Sequence, residues 1–417
     1  MRAMGKGEKI KVGVFGLGRG QAFLHPHEAV GIEIAAVCDA RRDKVDLRLQ
    51  GLPKGVRGYT EFEDLIASDV DAVILCNYFD EHAPFAIRAL RAGKHVMSEC
   101  ASNATVAEGV ALCREVERAG KVYMLAENYP FTRATMELRR IYRAGELGRA
   151  LYGDGEYNHP MPADEVNRIS PGEFHWRNNI PASYYCTHAY APLMAATGAM
   201  PVSVNALAVA NGEVNRGTAR RSDVGTVILA RMDDGSVFKQ LGISFPGHSG
   251  YYRIHGTRGA AEIDRRTGQL YVWHDPWDIP EGSCRARSYV PEWPEFGEIA
   301  EASGHGGGDF WTSYLFAKSI REGTPPPMDV YFGVAASTIG ILAWKSALAG
   351  GAPFDMPDFR SEASRAAHGD DRWNPILKAG MDKASIPPSS VVGYEPNGED
   401  LARARAEWAR TGHWGLG

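Results

Sequence analysis

The sequence predicts an α/β protein in which an N-terminal, doubly wound parallel sheet is followed by an α+β domain with an open, largely antiparallel sheet. Its 417 residues correspond to about 2.8 domains of about 150 residues each. Up to residue 125, apolar β-branched runs alternate with helical segments, which indicates parallel strands joined by crossovers. After residue 148, short alternating strands and turns take over. We therefore expect domains at 1–148 and 149–360 and a C-terminal arm at 361–417.

Apolar runs predict the strands of the first domain, and helical segments separate them. The first run leads directly into Gly16-Leu17-Gly18-Arg19-Gly20. The resulting order of strand, glycine turn, helix and strand is typical of a Rossmann-type sheet. The predicted strands are Lys9–Phe15, Ile32–Val37, Ala72–Cys76, Lys94–Met97 and Lys121–Leu125, and the predicted helices are Glu61–Ile66, Ala83–Ala92 and 105–119.

In the second domain, strands alternate with turns. Val224–Met232 and Val237–Phe245 flank Asp234-Gly235, a dipeptide that favours a hairpin turn. The polar, proline-punctuated residues after 361 predict an arm that runs over the surface. The other predicted elements are strands at 150–157, 251–255, 260–263 and 269–273, a polar loop at 160–183, and helices at 193–197, 310–320 and 330–348.

Composition excludes several classes of protein. Apolar residues make up 44% of the chain and charged residues 23%, which are ordinary values for a globular protein with a sizeable core. The 46 basic and 51 acidic residues give a formal charge of −5, so we expect no nucleic-acid partner. The six cysteines form no CxxC pair, which predicts reduced thiols. With no export leader and no evident membrane span, we expect a cytoplasmic protein.

The glycine turn predicts a dinucleotide site. Gly16 and Gly18 let the backbone approach a pyrophosphate, and Asp39, 23 residues after Gly16, ends the next strand and can accept the ribose hydroxyls. This acid favours NAD over NADP, although Arg41 and Arg42 offer an alternative contact to a 2′-phosphate. The motif departs from the standard one, because Gln21 stands at its third position with Gly20 one place early. Asp39 can also be read as a strand-end turn residue.

Further motifs resemble the Gfo/Idh/MocA oxidoreductases over about residues 9–360. They are Asp71-Ala72-Val73-Ile74-Leu75, Ala92-Gly93-Lys94-His95-Val96 and Gly256-Thr257-Arg258-Gly259. The resemblance implies an enzyme that oxidises or reduces sugar and cyclitol hydroxyls with a nicotinamide cofactor, and a homo-oligomer, dimer or tetramer, with contacts through the second-domain sheet. It also implies cofactor contacts by Arg19, Gly20, Asn77, His82, Glu99 and Asn128.

Within that family, the sequence is most similar to the NAD-dependent glycoside hydrolase family 109. The matching segments are Glu127-Asn128, Trp176-Arg177, Tyr185-Cys186-Thr187-His188, Gly304-His305-Gly306-Gly307 and Met328-Asp329-Val330-Tyr331. Two departures from the broad family support this branch. Cys100 stands where most members have a lysine near the reacting hydroxyl, and Ala191 where an aspartate is usual. Against this branch, the loop between Arg177 and Tyr185 is shorter than in the hydrolases.

Hydride transfer from a carbinol needs a base for the hydroxyl proton. His188 and Tyr185 are candidate catalytic residues, and Tyr157 ends a strand that is expected to reach the ligand-binding edge of the sheet. Glu127, after the fifth strand, either takes part in acid–base chemistry or orients Asn128. The structural alternatives are a helix-start histidine at 188 and a core tyrosine at 157.

A second group of residues suits sugar binding. His175, Trp176 and Arg177 combine an aromatic face with a guanidinium group, and His305 lies in a glycine run that can close over a pocket. His159 is either structural or substrate-binding. Although the chain has 13 histidines, no ligand spacing such as HExxH occurs, so we expect no metal.

Together with these residues, the resemblance implies an NAD-dependent enzyme that oxidises a sugar ring hydroxyl, at carbon 3, by taking hydride from the carbon that bears it. In a net dehydrogenase the keto-sugar and NADH leave. In a redox glycosidase the new carbonyl acidifies the neighbouring C–H, elimination expels the anomeric group, water adds and the ring is reduced again. A third alternative is a cofactor-binding sensor without turnover, which the missing lysine permits.

Overall fold

The computed structural model describes residues 9–210, 213–378, 380–381 and 383–411. Residues 1–8, for which the sequence predicts no export leader, lie outside the described residues. Contacts divide the chain into two compact units. The first unit holds the described part of Met1–Thr132 with Trp293–Val334 and Phe359–Asp371, and the second holds Arg133–Glu292, Ala335–Asp358 and the described part of Arg372–Gly417.

These units differ from the expected domains at 1–148, 149–360 and 361–417. Residues 133–148 pack in the second unit, residues 293–334 return to the first, and the tail from residue 372 belongs to the second. The local pattern of the sequence does not show that a later segment packs in an earlier unit, because this depends on contacts between distant segments. One example is the Arg321 guanidinium, whose Nη1 donates to the Val30 carbonyl oxygen at 2.9 Å.

A six-stranded parallel sheet organises the described part of the first unit. Its strands are β1 Ile10–Phe15, β2 Ile32–Cys38, β3 Arg57–Tyr59, β4 Ala72–Leu75, β5 His95–Ser98 and β6 Tyr123–Leu125. The strand order β3-β2-β1-β4-β5-β6 reverses direction between β1 and β4. Open α/β sheets bind ligands at such a switch point, beyond the carboxyl ends of the strands. The predicted doubly wound parallel sheet is confirmed.

Helices connect these strands as expected, with one exception. The helices are α1 Arg42–Leu49, α2 Phe62–Ala67, α3 His82–Arg91 and α4 Val106–Ala119. A capping box starts α4, because Thr105 and Glu108 each accept the other's backbone N–H. The exception follows the glycine turn, where only a short 3₁₀ helix forms over Arg19–Phe23. Pro26 follows closely and restricts the preceding backbone to extended conformations, so no full helix dipole faces this turn.

The sheet of the second unit is antiparallel except for one pair of strands. Its strands are β7 Ala150–Asn158, β8 Pro201–Val209, β9 Gly225–Met232, β10 Val237–Ile243, β11 Ser249–Gly256, β12 Ala260–Ile263, β13 Leu270–Trp273, β14 Ala286–Tyr289 and β15 Phe354–Asp355. Their order is β14-β13-β12-β11-β7-β10-β9-β8-β15, and β7 and β10 form the parallel pair. The expected largely antiparallel sheet is confirmed.

Helices of the second unit lie along the sheet and within the segment expected to be a polar loop. They are α5 Arg133–Arg143, α6 Ala163–Ile169, α7 Trp176–Asn179 and α8 Thr187–Thr197. The prediction of a loop over 160–183 is therefore wrong, as is a start of α8 at Leu193. The helix passes through Pro192, which has no N–H for the His188 carbonyl. The Tyr252 hydroxyl donates to that carbonyl oxygen instead, at 2.7 Å.

The remaining helices come from the returning segments. They are α9 Gly297–Glu301, α10 Gly308–Glu322, α11 Val330–Leu348, α12 Glu362–Ala366 and α13 Gly398–Thr411. By length and composition α11 is apolar enough to cross a membrane, but 83% of its apolar window is buried inside the protein. Such burial is typical of a core helix, so this is weak evidence for a membrane span.

Candidate active site

The glycine turn after β1 requires glycine at its first position. Gly16 has a φ of +89°, and a Cβ there would lie 2.4 Å from the carbonyl carbon of Cys76. Gly18 has a φ of −68° and precedes the 3₁₀ helix. A side chain at Gly20 would meet Val14 Cγ1 at 2.7 Å. Gly16 thus lies close against the backbone of the loop after β4, and the turn can offer backbone atoms without side chains at these glycines to a ligand.

Asp39 follows β2, and its carboxylate is held by two backbone amides. Oδ2 accepts from Leu17 N at 2.9 Å and Oδ1 from Arg41 N at 3.0 Å. Each oxygen retains a further lone pair for a ribose hydroxyl. The Arg41 guanidinium bonds to Asp43, with Nε 3.1 Å from Oδ1. Asp39 therefore has both a structural contact and the geometry of a ribose acceptor.

Asn77 and His82 form a buried polar group at the carboxyl end of β4. The His82 ring lies 2.8 Å from the Ala101 carbonyl oxygen through Nδ1 and 3.2 Å from the Asn77 carbonyl oxygen through Nε2. Burial lowers the pKa of His82, which favours the neutral ring. The side-chain oxygen and nitrogen of Asn77 are buried without a hydrogen-bond partner in the described part of the chain. A buried amide without a partner is costly, and a dinucleotide would satisfy it.

Arg19 joins the glycine turn to β5 and α10. Its Nε donates to Glu99 Oε1 at 2.9 Å, and its Nη2 donates to Asp309 Oδ1 at 2.6 Å. Asp309 also accepts from Asn128 Nδ2 at 3.2 Å and lies 3.0 Å from His305 Nδ1. Burial acts to raise the pKa of Asp309, but the bonds from His305 and Arg19 hold it well below its usual range. Asp309 is a linking residue that the sequence did not single out by itself.

Glu127 is fully buried after β6. Its Oε1 accepts from Tyr129 N at 3.3 Å, and its Oε2 accepts from the Cys100 thiol at 3.1 Å. The Cys100 thiol, at the position of the broad family's lysine, thus has a carboxylate partner. The neighbouring Asn128 Oδ1 is buried without a partner among the described residues. The cofactor residues expected from the sequence therefore all lie around one edge of the first unit's sheet, with Glu127.

Three candidate catalytic residues come together in the second unit. Tyr157 lies near the end of β7, and its ring centroid is 4.6 Å from that of His188 in the first turn of α8. The Tyr185 ring, on a 3₁₀ turn just before α8, lies 5.6 Å from His188. The Tyr252 hydroxyl, from β11, donates to the His188 carbonyl oxygen and so holds the backbone that carries this imidazole.

Arg177 is held beside Tyr185. Its Nη1 donates to the Tyr185 hydroxyl at 2.8 Å, and its guanidinium lies 4.3 Å from the centroid of Trp176. His175 caps α7, because its Nδ1 accepts from Arg177 N at 3.3 Å. Burial, followed by the charge of Arg177, lowers the pKa of His175 to about 3. His175 and Trp176 lie against Arg177 and are not among the residues that line the cavity described next, and their contact with a sugar stays a prediction.

A cavity of about 210 Å³ lies entirely within the second unit, and His188 is not among the residues that line it. Its lining includes Tyr157, Tyr185, Arg177 and His159, which the sequence predicts as substrate-binding or catalytic residues. It also includes Arg220, Ser222, Asp223 and Ser244, which the sequence does not identify as site residues. Arg220 lies in Thr218-Ala219-Arg220-Arg221-Ser222, a run that is typical of a solvated loop and carries no local signal of a site.

The chain is similar to two known protein families and to several glycosyl hydrolase family 109 proteins. Residues 10–127 match the Gfo/Idh/MocA model, described as an oxidoreductase family with an NAD-binding Rossmann fold. Residues 204–364 match the C-terminal domain of glycosyl hydrolase 109. A glycosyl hydrolase family 109 protein of Shewanella pealeana is 27% identical over 393 residues, with 85% of this chain and 86% of that protein covered. One from Solibacter usitatus is 27% identical over 400 residues, with coverage of 84% and 88%.

Solved structures show the same fold. An oxidoreductase domain protein from Kribbella flavida has a TM-score of 0.70 at 19% identity, covering 84% of this chain and 100% of that one. Levoglucosan dehydrogenase in complex with NADH and L-sorbose has a TM-score of 0.69 at 21% identity, covering 84% and 99%. The predicted resemblance, fold class and NAD cofactor are confirmed. The roles of individual site residues stay predictions.

Proposed function

We propose that this chain, with an NAD-binding domain of the Gfo/Idh/MocA type and a C-terminal domain of the glycoside hydrolase family 109 type, oxidises a ring hydroxyl of a sugar or glycoside at carbon 3. The observation that carries this proposal is the cavity in which Tyr157, Tyr185 and Arg177 meet, with His188 against the Tyr157 ring. NAD, when bound, supplies the hydride acceptor. Gly16 would let the backbone approach the pyrophosphate of NAD, and Asp39 would accept from the ribose hydroxyls. The buried side-chain amide of Asn77 would form hydrogen bonds to the dinucleotide.

Tyr157 and Tyr185 of the cavity, with His188 against the Tyr157 ring, supply a base and a fixed hydrogen-bonding group. The Tyr157 hydroxyl and the His188 imidazole are the groups that can take the proton of the reacting hydroxyl. Arg177 donates to the Tyr185 oxygen, which fixes the phenol in one position. The lysine that most of the broad family carries is Cys100 here, which donates a hydrogen bond to Glu127 and has no cationic charge.

The second candidate function is glycoside cleavage by a redox-neutral route. The relatives named family 109 hydrolases favour it, because they match this chain over 84–87% of its length. A ketone at carbon 3 stabilises the carbanion at carbon 2 as an enolate, which permits elimination of the anomeric group. The homo-oligomer and the cytoplasmic location stay predictions. Exposed apolar side chains on the second unit's sheet, such as Leu207 and Leu229, support the homo-oligomer.

One experiment separates these functions. The NAD-loaded protein is incubated in deuterated water with aryl glycosides, alongside Tyr157→Phe and a control, Tyr152→Phe, on the same strand. The glycosidase releases phenol with no net absorbance change at 340 nm and places deuterium on carbon 2. The dehydrogenase instead accumulates NADH and an uncleaved keto-sugar. We expect Tyr157→Phe to lower kcat about a hundredfold or more while NAD binding is kept. Bound NAD without either reaction would contradict both candidates and favour the sensor.

A further inference from the structure

Two guanidinium groups line the cavity of the second unit. Arg177 comes from α7, and Arg220 comes from the loop before β9. Arg177 Nη1 donates to the Tyr185 hydroxyl at 2.8 Å, and Arg220 Nη1 donates to Ser244 Oγ at 3.1 Å. Both of these acceptors are neutral. Within the described part of the chain neither arginine forms an ion pair, and Arg177 Nε is buried without a hydrogen-bond partner.

The negative charge in the lining compensates at most one of these two cations. Asp223 is the carboxylate among the lining residues, and its oxygens accept from Ser389 Oγ at 2.6 Å and from Ser390 N at 3.0 Å. Burial, and then the charge of Arg177, lower the pKa of Arg220 to about 10, so it stays protonated at neutral pH. The cavity therefore has a surplus of positive charge.

The histidines around the cavity do not change this balance. His159 lines the cavity, and its ring centroid lies 5.1 Å from that of His248. Burial, and then the neighbouring His248, lower the pKa of His159. A neutral His159 adds no charge, and a protonated one would add to the surplus. The positive surplus is thus a property of the arginines.

Like charges held in a partly buried cavity destabilise each other, and an anion offsets that cost. A guanidinium group has a planar arrangement of donors that matches a carboxylate or a sulfate. Neutral sugar hydroxyls would accept hydrogen bonds from these groups but would leave their charge uncompensated. We propose that the sugar bound in this cavity carries an anionic substituent, a carboxylate or a sulfate ester, which Arg177 and Arg220 bind. This inference rests on the proposed function and names the substrate class.

The test compares binding of methyl hexopyranosides with that of the matching methyl hexuronides and 6-O-sulfated hexopyranosides. Calorimetric titration into the NAD-loaded protein measures affinity without any need for turnover. For the wild type we expect at least about tenfold tighter binding of one anionic series, and the better series identifies the substituent. The preference should weaken as salt is added, because ions screen the attraction.

Three variants connect the preference to the cavity. Arg220→Gln should abolish the anionic preference, and Arg220→Lys should keep part of it because the charge remains. Arg216→Gln removes the same charge from an exposed position on the same loop and should leave the preference unchanged. The wild-type comparison stands even if a variant at Arg220 fails to fold.

The outcomes separate this inference from the function on which it rests. Equal affinity for neutral and anionic sugars in the wild type would overturn the anionic substituent while leaving sugar oxidation intact. An anionic preference that survives in folded Arg220→Gln would overturn the assignment to this cavity. A protein that binds NAD but neither neutral nor anionic sugars would contradict the proposed function itself.

Discussion

At the scale of single residues, Asp39 shows why a motif residue has more than one function. Its two oxygens accept from the backbone at Leu17 and Arg41, so the carboxylate fastens the glycine turn to the end of β2. The same oxygens carry the negative charge that a 2′-phosphate would meet. The same position of the Asp39 carboxylate therefore suits both a structural role in the turn and acceptance of hydrogen bonds from the ribose hydroxyls.

We predict that Asp39→Ala weakens NAD binding by about tenfold or more, since a hydrogen bond to a charged group contributes about 1.5–3 kcal/mol. We also predict that it narrows the preference for NAD over NADP, because the repulsion of the 2′-phosphate is removed. Quenching of tryptophan fluorescence by each cofactor measures both affinities. Asp46→Ala, on α1, removes an exposed carboxylate of the same kind and is the control. NADP binding tighter than NAD in the wild type would show that Asp39 is misassigned.

At the scale of elements, the sequence predicts what depends on local pattern and misses what depends on distant contacts. The buried strands of the first sheet and α11 are found within a residue or two, because their apolar runs are continuous. The edge strand β14 is missed, since Ala286–Tyr289 is polar and lacks a core face. The start of α8 is missed because Pro192 indicates a break that Tyr252 compensates from β11. Site residues such as Asp39 were identified because they directly follow a strand that is clear in the sequence. Arg220 was not identified, because its surroundings in the sequence carry no local signal of a site.

The helix α13 is a further element that was not predicted from the sequence, because the tail from residue 361 was expected to be an irregular arm. Its apolar face packs Ala404 and Trp408 against Ala219, and Trp408 Nε1 donates to the Asn167 carbonyl oxygen at 3.0 Å. Prolines up to Pro396 dominate the tail's composition and obscure the helix that follows. This helix supports the loop that carries Arg220, because Ala219 is its direct neighbour.

We predict that Trp408→Ala releases α13. Removal of a buried tryptophan costs about 3–5 kcal/mol, which exceeds what a surface helix gains from its exposed ion pairs. Amide hydrogen exchange should accelerate in α13 and α6, with the first unit's sheet unchanged. Arg410→Ala, on the exposed face of the same helix, should change exchange little. Unchanged protection of α13 in Trp408→Ala would show that the packing of Trp408 beside Ala219 does not hold this helix in place.

At the scale of the whole molecule, both units bury groups whose protonation opposes folding. In the first unit, burial and then Lys121 lower the pKa of His95 from 6.5 to about 4, and its Nδ1 accepts from Val122 N at 2.9 Å. In the second unit, His175 is lowered from 6.5 to about 3. Hydrogen bonding by Arg287 is the main cause that lowers the pKa of Glu146 from 4.5 to about 2. All three groups bind fewer protons in the folded than in the unfolded protein at mildly acidic pH.

The sign of the pH dependence follows from these shifts. Below pH 6.5 these two histidines become protonated in the unfolded chain. In the folded protein His95 and His175 stay neutral until the pH falls to about 4 and about 3, respectively. The stability due to Glu146 is present above its unfolded pKa of 4.5 and is lost as pH falls through about 2. Each group contributes a slope of up to about 1.4 kcal/mol per pH unit within its window. Stability should therefore fall continuously on acidification from pH 6.5.

We predict that the calorimetric unfolding temperature decreases from pH 7 to pH 4.5 and that His95→Asn makes this decrease shallower. The asparagine oxygen can replace Nδ1 as the acceptor for Val122 N, so the hydrogen bond is kept while the titrating ring is removed. Glu146→Gln should instead flatten only the steeper loss below pH 4.5, because that carboxylate titrates in the lower window. His25→Asn, at an exposed position, is the matched control. An unfolding temperature that stays constant between pH 7 and pH 4.5 would show that the buried histidines do not limit acid stability.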